Sequence, residues 1–166
     1  MAQFAINTTR TDPYKNFKFQ IVWEGRVVAG MSKVSSLKRT TQVVSHREGG
    51  DVSTPRHSPG ATAFEAITFE RGVTFDPDFE AWANLVYSTE GDAAVSLKNY
   101  KRDILVNVLN LQGVVIRSFR VFRCWVSEYT AQGELDSNAN AILMESIVVQ
   151  NEGWERDPDI VEVAET

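Results

Sequence analysis

The chain has 166 residues, of which 43% are hydrophobic and 23% are charged, a composition typical of one globular domain rather than of a disordered chain. The formal net charge is −5, but residues 145–166 hold seven acids and one base, a net of −6, which leaves +1 for residues 1–144. A nearly neutral body argues against an obligate nucleic-acid binder, which usually has a strong basic excess.

The N-terminal segment and the cysteine content indicate where the chain is made. The single cysteine, Cys124, cannot form an internal disulfide. Residues 1–17 contain no basic region followed by an apolar core, so we expect no signal peptide. No apolar run approaches the roughly 18–20 residues that a membrane-spanning helix needs, so we expect no membrane span. These features predict a soluble protein made in a cytoplasm.

Most segments have the patterns of β-strands, which predicts a mainly β fold. In residues 17–23 the odd-numbered positions are Phe17, Phe19, Ile21 and Trp23, with Lys18 and Gln20 between them, as in a half-buried strand. Gln112-Gly113 is typical of a hairpin turn between two further strands. Residues 104–111 are apolar on both faces and predict a central strand. The remaining predicted strands are residues 26–37, 40–48, 63–75, 114–129 and 141–150.

Residues 49–60 form a polar stretch with two prolines, three glycines and no periodicity. Because strands flank it, we expect it to be the tip of an extended hairpin. Such a hairpin has few contacts within its own subunit, and we expect a neighbouring subunit to order it.

One segment has helical rather than β periodicity. Asp76-Pro77 predicts an N-cap followed by the first helical position, and Gly91 predicts a C-terminal stop. We expect one helix of about 12 residues within 76–90, flanking a β-barrel or β-sandwich core. The apolar stripe of this helix consists of Phe79, Trp82, Ala83, Val86 and Tyr87.

The residues that could carry chemistry form no recognisable catalytic or metal-binding pattern. His46, His57 and Cys124 match no zinc-ligand spacing, and a cysteine within a strand is ordinarily a small buried hydrophobic residue. Gly49-Gly50 lacks the lysine and the strand-to-helix context of a phosphate-binding loop. We therefore expect no cofactor, no metal and no enzymatic activity, while an acid–base pair among the many carboxylates stays open as an alternative.

A second alternative rests on Arg117, Arg120 and Arg123, which are interleaved with aromatic residues. Such a cluster could contact a single-stranded nucleic acid on a small β-barrel. Arginines three residues apart cannot all face one side of a regular strand, so we expect a bulge or a change of strand among them. The simpler interpretation is that they pair with carboxylates at a strand edge or a subunit contact.

The order of the motifs is similar to that of the tail tube proteins of contractile bacteriophages and of the inner tube proteins of contractile injection systems. The resemblance covers roughly residues 12–156, and its specific part is REGGD followed by the RGV-x-x-D turn into a helix. The segments that carry it are PYKNFKFQIVWEG, VAGMSKVSSL, SHREGGD, SPGATAF, ITFERGVTFDPDFEAW, YKRDILVNVLNLQGVVIRSFRVFRCWVSEYTA and NANAILMESIVVQNEGWER. It implies a tail-tube β-barrel domain over residues 1–156, with residues 157–166 as an exposed acidic tail.

The resemblance also implies a structural role. Members of the family form hexameric rings that stack into a hollow tube, the conduit for genome or effector delivery, in a virion tail or an extracellular or cytoplasmic contractile particle assembled in the bacterial cytoplasm. The implied partners are other copies of the chain, the tail sheath protein, the baseplate hub or tube initiator, the tail terminator, and DNA or protein cargo that passes without specific binding. A baseplate tube initiator or hub adaptor of the same superfamily is the nearest alternative.

The resemblance assigns roles to particular residues. It implies that the hairpin contacts neighbouring subunits and stacked rings, and that Arg71-Gly72 is the turn that positions the helix. We expect polar positions of regular strands to line the lumen, namely Glu65, Thr68, Glu70, Ser146 and Gln150. The residues expected in subunit and ring-stacking contacts are His46, Arg47, Glu48, Gly49, Gly50, Asp51, Pro59, Gly60, Arg71 and Gly72.

Overall fold

Antiparallel strands make up most of the computed structural model, which describes residues 18–28, 30–50, 52–91, 95–96 and 98–161. Because apolar and polar residues alternate along most of these segments, each strand can bury one face. The strands are β1 (Phe19–Trp23), β2 (Arg26–Val28), β3 (Met31–Val34), β4 (Arg39–His46), β5 (Arg56–Phe64), β6 (Ile67–Gly72), β7 (Arg102–Leu109), β8 (Val115–Thr130), β9 (Met144–Gln150) and β10 (Trp154–Arg156).

The main sheet contains eight strands in the order β2-β1-β7-β8-β9-β6-β3, with β10 also paired to β8. The 16-residue strand β8 belongs to both halves of the sheet, because it pairs with β7 up to Cys124 and with β9 from Trp125 onward. The two end strands, β2 and β3, are separated by only two residues of the chain, so the two edges lie close together. This rolled, barrel-like sheet confirms the predicted mainly β core.

The buried side chains of both halves form one core. The inward positions of β6 and β9 alternate with half-exposed ones, as the strand period of two requires. Across the core, Trp23 of β1 packs against helical aromatic rings. The central part of this cluster consists of Ile21, Trp23, Ile67, Phe69, Phe79, Trp82, Ile104, Val121, Ile147 and Val149.

The helix α1 (Asp78–Ala83) is shorter than the predicted segment 76–90. Its N-cap is Pro77 rather than Asp76, and it ends at Ala83 with Asn84 as C-cap, well before the predicted stop at Gly91. Phe79, Trp82 and Ala83 are buried as the apolar stripe predicts, but Tyr87 is exposed. The stripe therefore predicted the buried face of the helix correctly. The predicted helix length is wrong, because the chain leaves the helix once these buried residues are packed. No described helix has the length and hydrophobicity to span a membrane.

Three of the predicted segments have wrong boundaries. Residues 26–37 contain two strands, β2 and β3, because the chain turns at Gly30, which has a positive φ of 75°. Residues 63–75 contain the end of β5 and all of β6, separated by a two-residue corner. The predicted loop 49–60 is shorter, since residues 56–60 already belong to β5.

Part of the acidic charge counted near the C-terminus belongs to ion pairs within the fold. Glu145 lies buried in β9 and pairs with Arg71, and Glu152 pairs with Lys101 and Arg123. Beyond β10, the Asp157 N–H donates to the Ser118 carbonyl oxygen at 2.9 Å. Two of the seven acids are therefore neutralised within the fold, and the acidic appendage is smaller than the sequence count suggests. The boundary between a domain 1–156 and a tail 157–166 stays a prediction.

Candidate functional site

Strands β4 and β5 form a separate two-stranded hairpin sheet. They pair from Arg39 opposite Phe64 at the root to His46 opposite Arg56 near the tip, and residues 47–55 connect them. Neither strand pairs with another strand in the described part of the chain. Every residue of β4 and all of β5 except Phe64 are exposed. The sequence therefore predicted the extended hairpin correctly, and its backbone edges are free to pair with another chain.

The tip of the hairpin carries most of the predicted contact residues. His46 Nε2 lies 3.9 Å from Glu48 Oε1, and both side chains are largely exposed. Arg47, Gly49 and Gly50 lie in the exposed connection between the strands. Asp51 lies outside the described residues. The tip is thus a small, exposed and polar surface.

Pro59 and Gly60 lie within β5 rather than in a loop. Pro59 is opposite Val43, and the register shifts between this pair and the Thr41–Thr62 pair, which marks a bulge. A Cβ on Gly60 would lie 3.1 Å from Val44 Cγ2 and 3.3 Å from the Gln42 carbonyl oxygen. A side chain here would be tightly packed, because the two strands approach closely at the bulge.

Arg71 lies in strand β6 and not in a turn, which corrects the predicted Arg71-Gly72 turn. Its side chain is fully buried, with Nε 2.5 Å from Glu145 Oε1 and a guanidinium N–H donating to the Asp76 carbonyl oxygen at 2.6 Å. The guanidinium also lies 4.2 Å from the centre of the Phe79 ring. Arg71 therefore does position the helix, through its side chain, and can influence a subunit contact only through the elements it holds. Gly72 is the last residue of β6.

Four of the five predicted lumen residues share one face of the sheet. Thr68 and Glu70 alternate with the buried residues of β6, and Ser146 and Gln150 alternate with those of β9. The register places Glu70 directly opposite Ser146. Glu65 differs, because it lies at the corner between β5 and β6, where it pairs with Lys38 at 3.2 Å.

The arginine cluster confirms the expected bulge. Arg102 is opposite Cys124 and Ile104 is opposite Val121, so β8 has one more residue than β7 at this point. Arg123 adopts a left-handed conformation with φ 49° within the bulge. Its N–H donates to Asp103 Oδ1 at 3.0 Å, so the extra residue's backbone donor is satisfied.

Carboxylates neutralise two of the three arginines. Arg120 pairs with Asp103 at 3.0 Å and Arg123 pairs with Glu152 at 3.2 Å. The backbone N–H of the bulge and then Arg120 lower the pKa of Asp103. Hydrogen bonds from Lys101 and Arg123 lower the pKa of Glu152. This pairing confirms the simpler interpretation of the cluster and removes the main support for a nucleic-acid surface.

The residues considered for metal binding or catalysis are dispersed. Cys124 is a free thiol buried in β8, and burial raises its pKa to about 12. Within the described residues, no group of three or more His, Cys, Asp or Glu side chains could hold a metal ion. A groove of about 190 Å³ between β8 and the segment 83–87 at the end of α1 is smaller than ordinary ligand pockets, which measure about 300–1,000 Å³.

Sequence reasoning missed a cluster of contacts at the root of the hairpin. Trp154 of β10 packs edge-on against Phe64 of the hairpin and Phe119 of the body, with ring centres 6.0 Å and 5.7 Å apart. The only signal in the sequence was a glycine, Gly153, next to an otherwise unassigned tryptophan. Contacts between such distant segments leave no periodic pattern.

A family model described as T4-like virus tail tube protein gp19 matches residues 15–155 of the chain. This range includes the hairpin, the helix, the bulge and the closing strands. The chain belongs to this tail tube protein family. The resemblance inferred from the motifs is thereby confirmed, and the chain is a structural tail tube protein of contractile systems rather than an enzyme.

Solved structures share the fold of this tail tube protein at low sequence identity. A chain of the cryo-EM structure of the anti-feeding prophage tube-terminating cap has a TM-score of 0.74 and 21% identity, covering 95% of this chain and 99% of the other. A chain of the sheath/tube terminator of the PVC extracellular contractile injection system, in the extended state, also has a TM-score of 0.74, with 19% identity and coverage of 89% and 98%. A chain of the PVC sheath–tube complex has a TM-score of 0.69, with 19% identity and coverage of 87% and 91%. No curated protein sequence matches the chain.

Proposed function

We propose that this tail tube protein forms hexameric rings that stack into the hollow inner tube of a contractile phage tail or injection system. The observation that carries the proposal is the β4–β5 hairpin, whose strands pair with each other but pack on the body only at the root. A ring needs two different complementary surfaces on each subunit. A projecting hairpin with free backbone edges supplies one of them by adding strands to a neighbour's sheet.

In this role the assembled tube is the conduit for genome or protein effectors. Its partners are the sheath protein, the baseplate hub or tube initiator, and the tail terminator, and assembly takes place in the bacterial cytoplasm before the particle matures in a virion tail or an injection machine. The similar structures belong to a tube-terminating cap, a sheath/tube terminator and a sheath–tube complex, which supports this set of partners.

Truncation of the hairpin tests the proposal. Residues 42–61 are replaced by Asn-Gly, which joins the opposed residues Thr41 and Thr62 by a two-residue turn. The described residues among those removed are all exposed and outside the core, so the subunit is expected to stay folded, with an unchanged unfolding midpoint. Electron microscopy is expected to show stacked tubes for the full chain and none for the truncated chain. Tubes formed by the truncated chain would refute the role of the hairpin.

A matched pair of point variants controls for surface charge. Val43→Asp changes an exposed hairpin residue, and Val161→Asp changes an equally exposed residue beyond the family match. Only Val43→Asp is expected to reduce stacking. If the full chain forms single rings that never stack, even at high concentration or with baseplate components, the tube-initiator or hub-adaptor alternative holds instead.

We also propose that the face of the sheet containing Thr68, Glu70, Ser146 and Gln150 lines the bore. The alternation that points their neighbours into the core supports a common orientation. In assembled tubes, Ser146→Cys is expected to react with a small maleimide and to resist a large polymer-linked one, whereas Val161→Cys reacts with both. The native Cys124 does not interfere because it is buried. Equal reaction of Ser146→Cys with both reagents would place this face outside the bore.

A further inference from the structure

The direction in which the hairpin leaves the body is set at its root. Above the root, all the described residues of β4 and β5 are exposed. At the root, Glu65 N–H donates to the Lys38 carbonyl oxygen at 3.0 Å, which closes the two strands against each other without attaching them to the body. The attachment of the hairpin to the body therefore depends on other contacts at the root.

Five residues form what we call the root clasp: Arg39 and Phe64 of the hairpin, and Asn151, Gly153 and Trp154 of the body. Phe64 packs edge-on against the Trp154 ring at 6.0 Å, and the Arg39 guanidinium lies 5.9 Å from the same ring. Both residues of the first hairpin pair thus contact one tryptophan.

The body side of the root clasp is held rigidly. Strand β10 pairs with β8, with Trp154 opposite Val121. Phe119 of β8 packs edge-on against Trp154 at 5.7 Å, on a strand fixed in the core. Trp154 therefore transmits the orientation of β8 to the hairpin.

The link between β9 and β10 completes the root clasp. Asn151 Nδ2 donates to the Glu65 carbonyl oxygen at 3.0 Å, and Asn151 Oδ1 accepts from Gly153 N–H at 3.1 Å. Gly153 has a positive φ of 135°, and a Cβ at this position would lie 3.4 Å from the Phe64 ring. A glycine here lets the backbone pass directly beneath Phe64.

We propose that Trp154 is a positioning residue that sets the angle of the hairpin and thereby permits ring assembly, an inference that rests on the proposed function for its link to assembly. An eight-residue strand is about 26 Å long, so a rotation of about 10° at the root moves the tip by about 4–5 Å. Protein interfaces pack as densely as protein interiors, so a displacement of this size removes the tip from its contacts.

The surroundings of the indole nitrogen show whether Trp154 positions the hairpin by packing or by a hydrogen bond. Trp154 Nε1 is buried and has no hydrogen-bond partner among the described residues. Trp154→Phe keeps an aromatic ring between Phe64 and Phe119 and removes an unsatisfied donor, so it preserves the function of the root clasp. Trp154→Ala removes the ring.

The orientation is measured on the isolated subunit with spin labels. One label is placed at Val52→Cys, which is exposed near the tip of the hairpin, and the other at Gln112→Cys, which is exposed in the β7–β8 turn. Cys124 stays unlabelled because it is buried. Pulsed electron paramagnetic resonance is expected to give a narrow distance distribution for the parent chain and for Trp154→Phe, and a distribution at least twofold broader for Trp154→Ala.

Two further variants keep the test decisive. Phe64→Ala removes the hairpin's aromatic contact with Trp154 without altering β10, and is expected to broaden the distribution even if Trp154→Ala fails to fold. Trp125→Ala is the matched control, because this half-buried tryptophan packs against Tyr100 at 6.4 Å and belongs to no hairpin contact described above. A narrow distribution in Phe64→Ala, or equal broadening in Trp125→Ala, would overturn the proposal.

Assembly is scored separately by electron microscopy. Trp154→Ala is expected to form at least tenfold fewer tubes than Trp154→Phe at the same concentration. Normal tube formation by a variant with a broadened distribution would overturn the link between the root clasp and assembly. If the parent chain itself forms no tubes, the proposed function fails, while the distance measurement still decides whether Trp154 positions the hairpin.

Discussion

Removal of the Arg71 guanidinium is expected to be among the most destabilising single changes in this protein. Arg71 is fully buried, and its partner Glu145 is only 6% exposed. In Arg71→Met the carboxylate of Glu145 loses its cation, and its remaining contact is the Tyr129 hydroxyl at 3.5 Å. Breaking a buried ion pair by removing one partner costs about 3–5 kcal/mol because an uncompensated charge is left in the interior.

The structure explains why this cost reaches beyond one ion pair. The same guanidinium donates to Asp76 Oδ2 at 3.2 Å and to the Asp76 carbonyl oxygen at 2.6 Å, just before α1 begins. It also packs over Phe79 on the helix. Loss of these contacts is expected to loosen the attachment of α1, so Arg71→Lys, which keeps the charge but not the planar fork, is expected to fall between the parent chain and Arg71→Met.

The loss of unfolding free energy is measured by urea denaturation, at a protein concentration where sedimentation shows a monomer. For a chain of 166 residues, about 3–5 kcal/mol corresponds to a decrease in Tm of about 6–20 °C. The double variant Arg71→Met with Glu145→Leu removes both charges and is expected to recover at least about 2 kcal/mol of the loss. A loss below about 1 kcal/mol for Arg71→Met, or a double variant no more stable than the sum of the single changes, would refute this account.

Four further changes test other parts of the structure. Trp82→Ala is expected to cost about 3–5 kcal/mol in urea denaturation, because the indole is fully buried in the core, and a near-neutral effect would contradict this. Gly60→Ala is expected to speed amide hydrogen exchange in the hairpin, whereas Gly50→Ala, with open space around it, leaves the exchange unchanged. Folding lowers the pKa of Asp103 from its usual 3.8, so its stabilising contribution is present above that value and is lost as the pH falls through the lowered pKa. The unfolding free energy of Asp103→Asn is therefore expected to fall less steeply between pH 5 and acid conditions than that of the parent chain, and parallel curves would contradict the assignment. Because burial raises the pKa of Cys124 to about 12, the native thiol is expected to react with a disulfide reagent at pH 8 only after unfolding, and rapid reaction of the native protein would show that it is accessible.

Several features of the fold followed from the sequence because they depend on local patterns. Alternation predicted which face of β1 is buried, and the apolar stripe predicted the inward face of α1. The spacing of the three arginines in β8 predicted a bulge or a change of strand, and a bulge lies at Arg123. The two strands that flank the polar stretch predicted the hairpin, although β5 begins earlier than expected.

The boundaries and the role of Arg71 were less predictable. An apolar stripe states which residues of a helix are buried, but not where the chain can leave the helix once they are packed, so α1 ends at Ala83 rather than near residue 90. The family resemblance implied a turn at Arg71-Gly72, yet Arg71 belongs to β6. Its side chain meets acidic partners that only the folded chain provides.

The sequence alone determined that this chain is a mainly β tail tube protein with an exposed hairpin, since strand alternation, turn residues and family motifs are all local. Only the tertiary structure decided which charges are neutralised and what holds the hairpin. Arg71 meets Glu145 across 74 residues of sequence, and Phe64 meets Trp154 in the same way. Such pairs depend on which strands become neighbours in the rolled sheet, and a single sequence contains no periodic signal for that choice. The acidic C-terminal count of the chain is therefore a property of composition, whereas the pairing of Glu145 and Glu152 with cations of the body is a property of the fold.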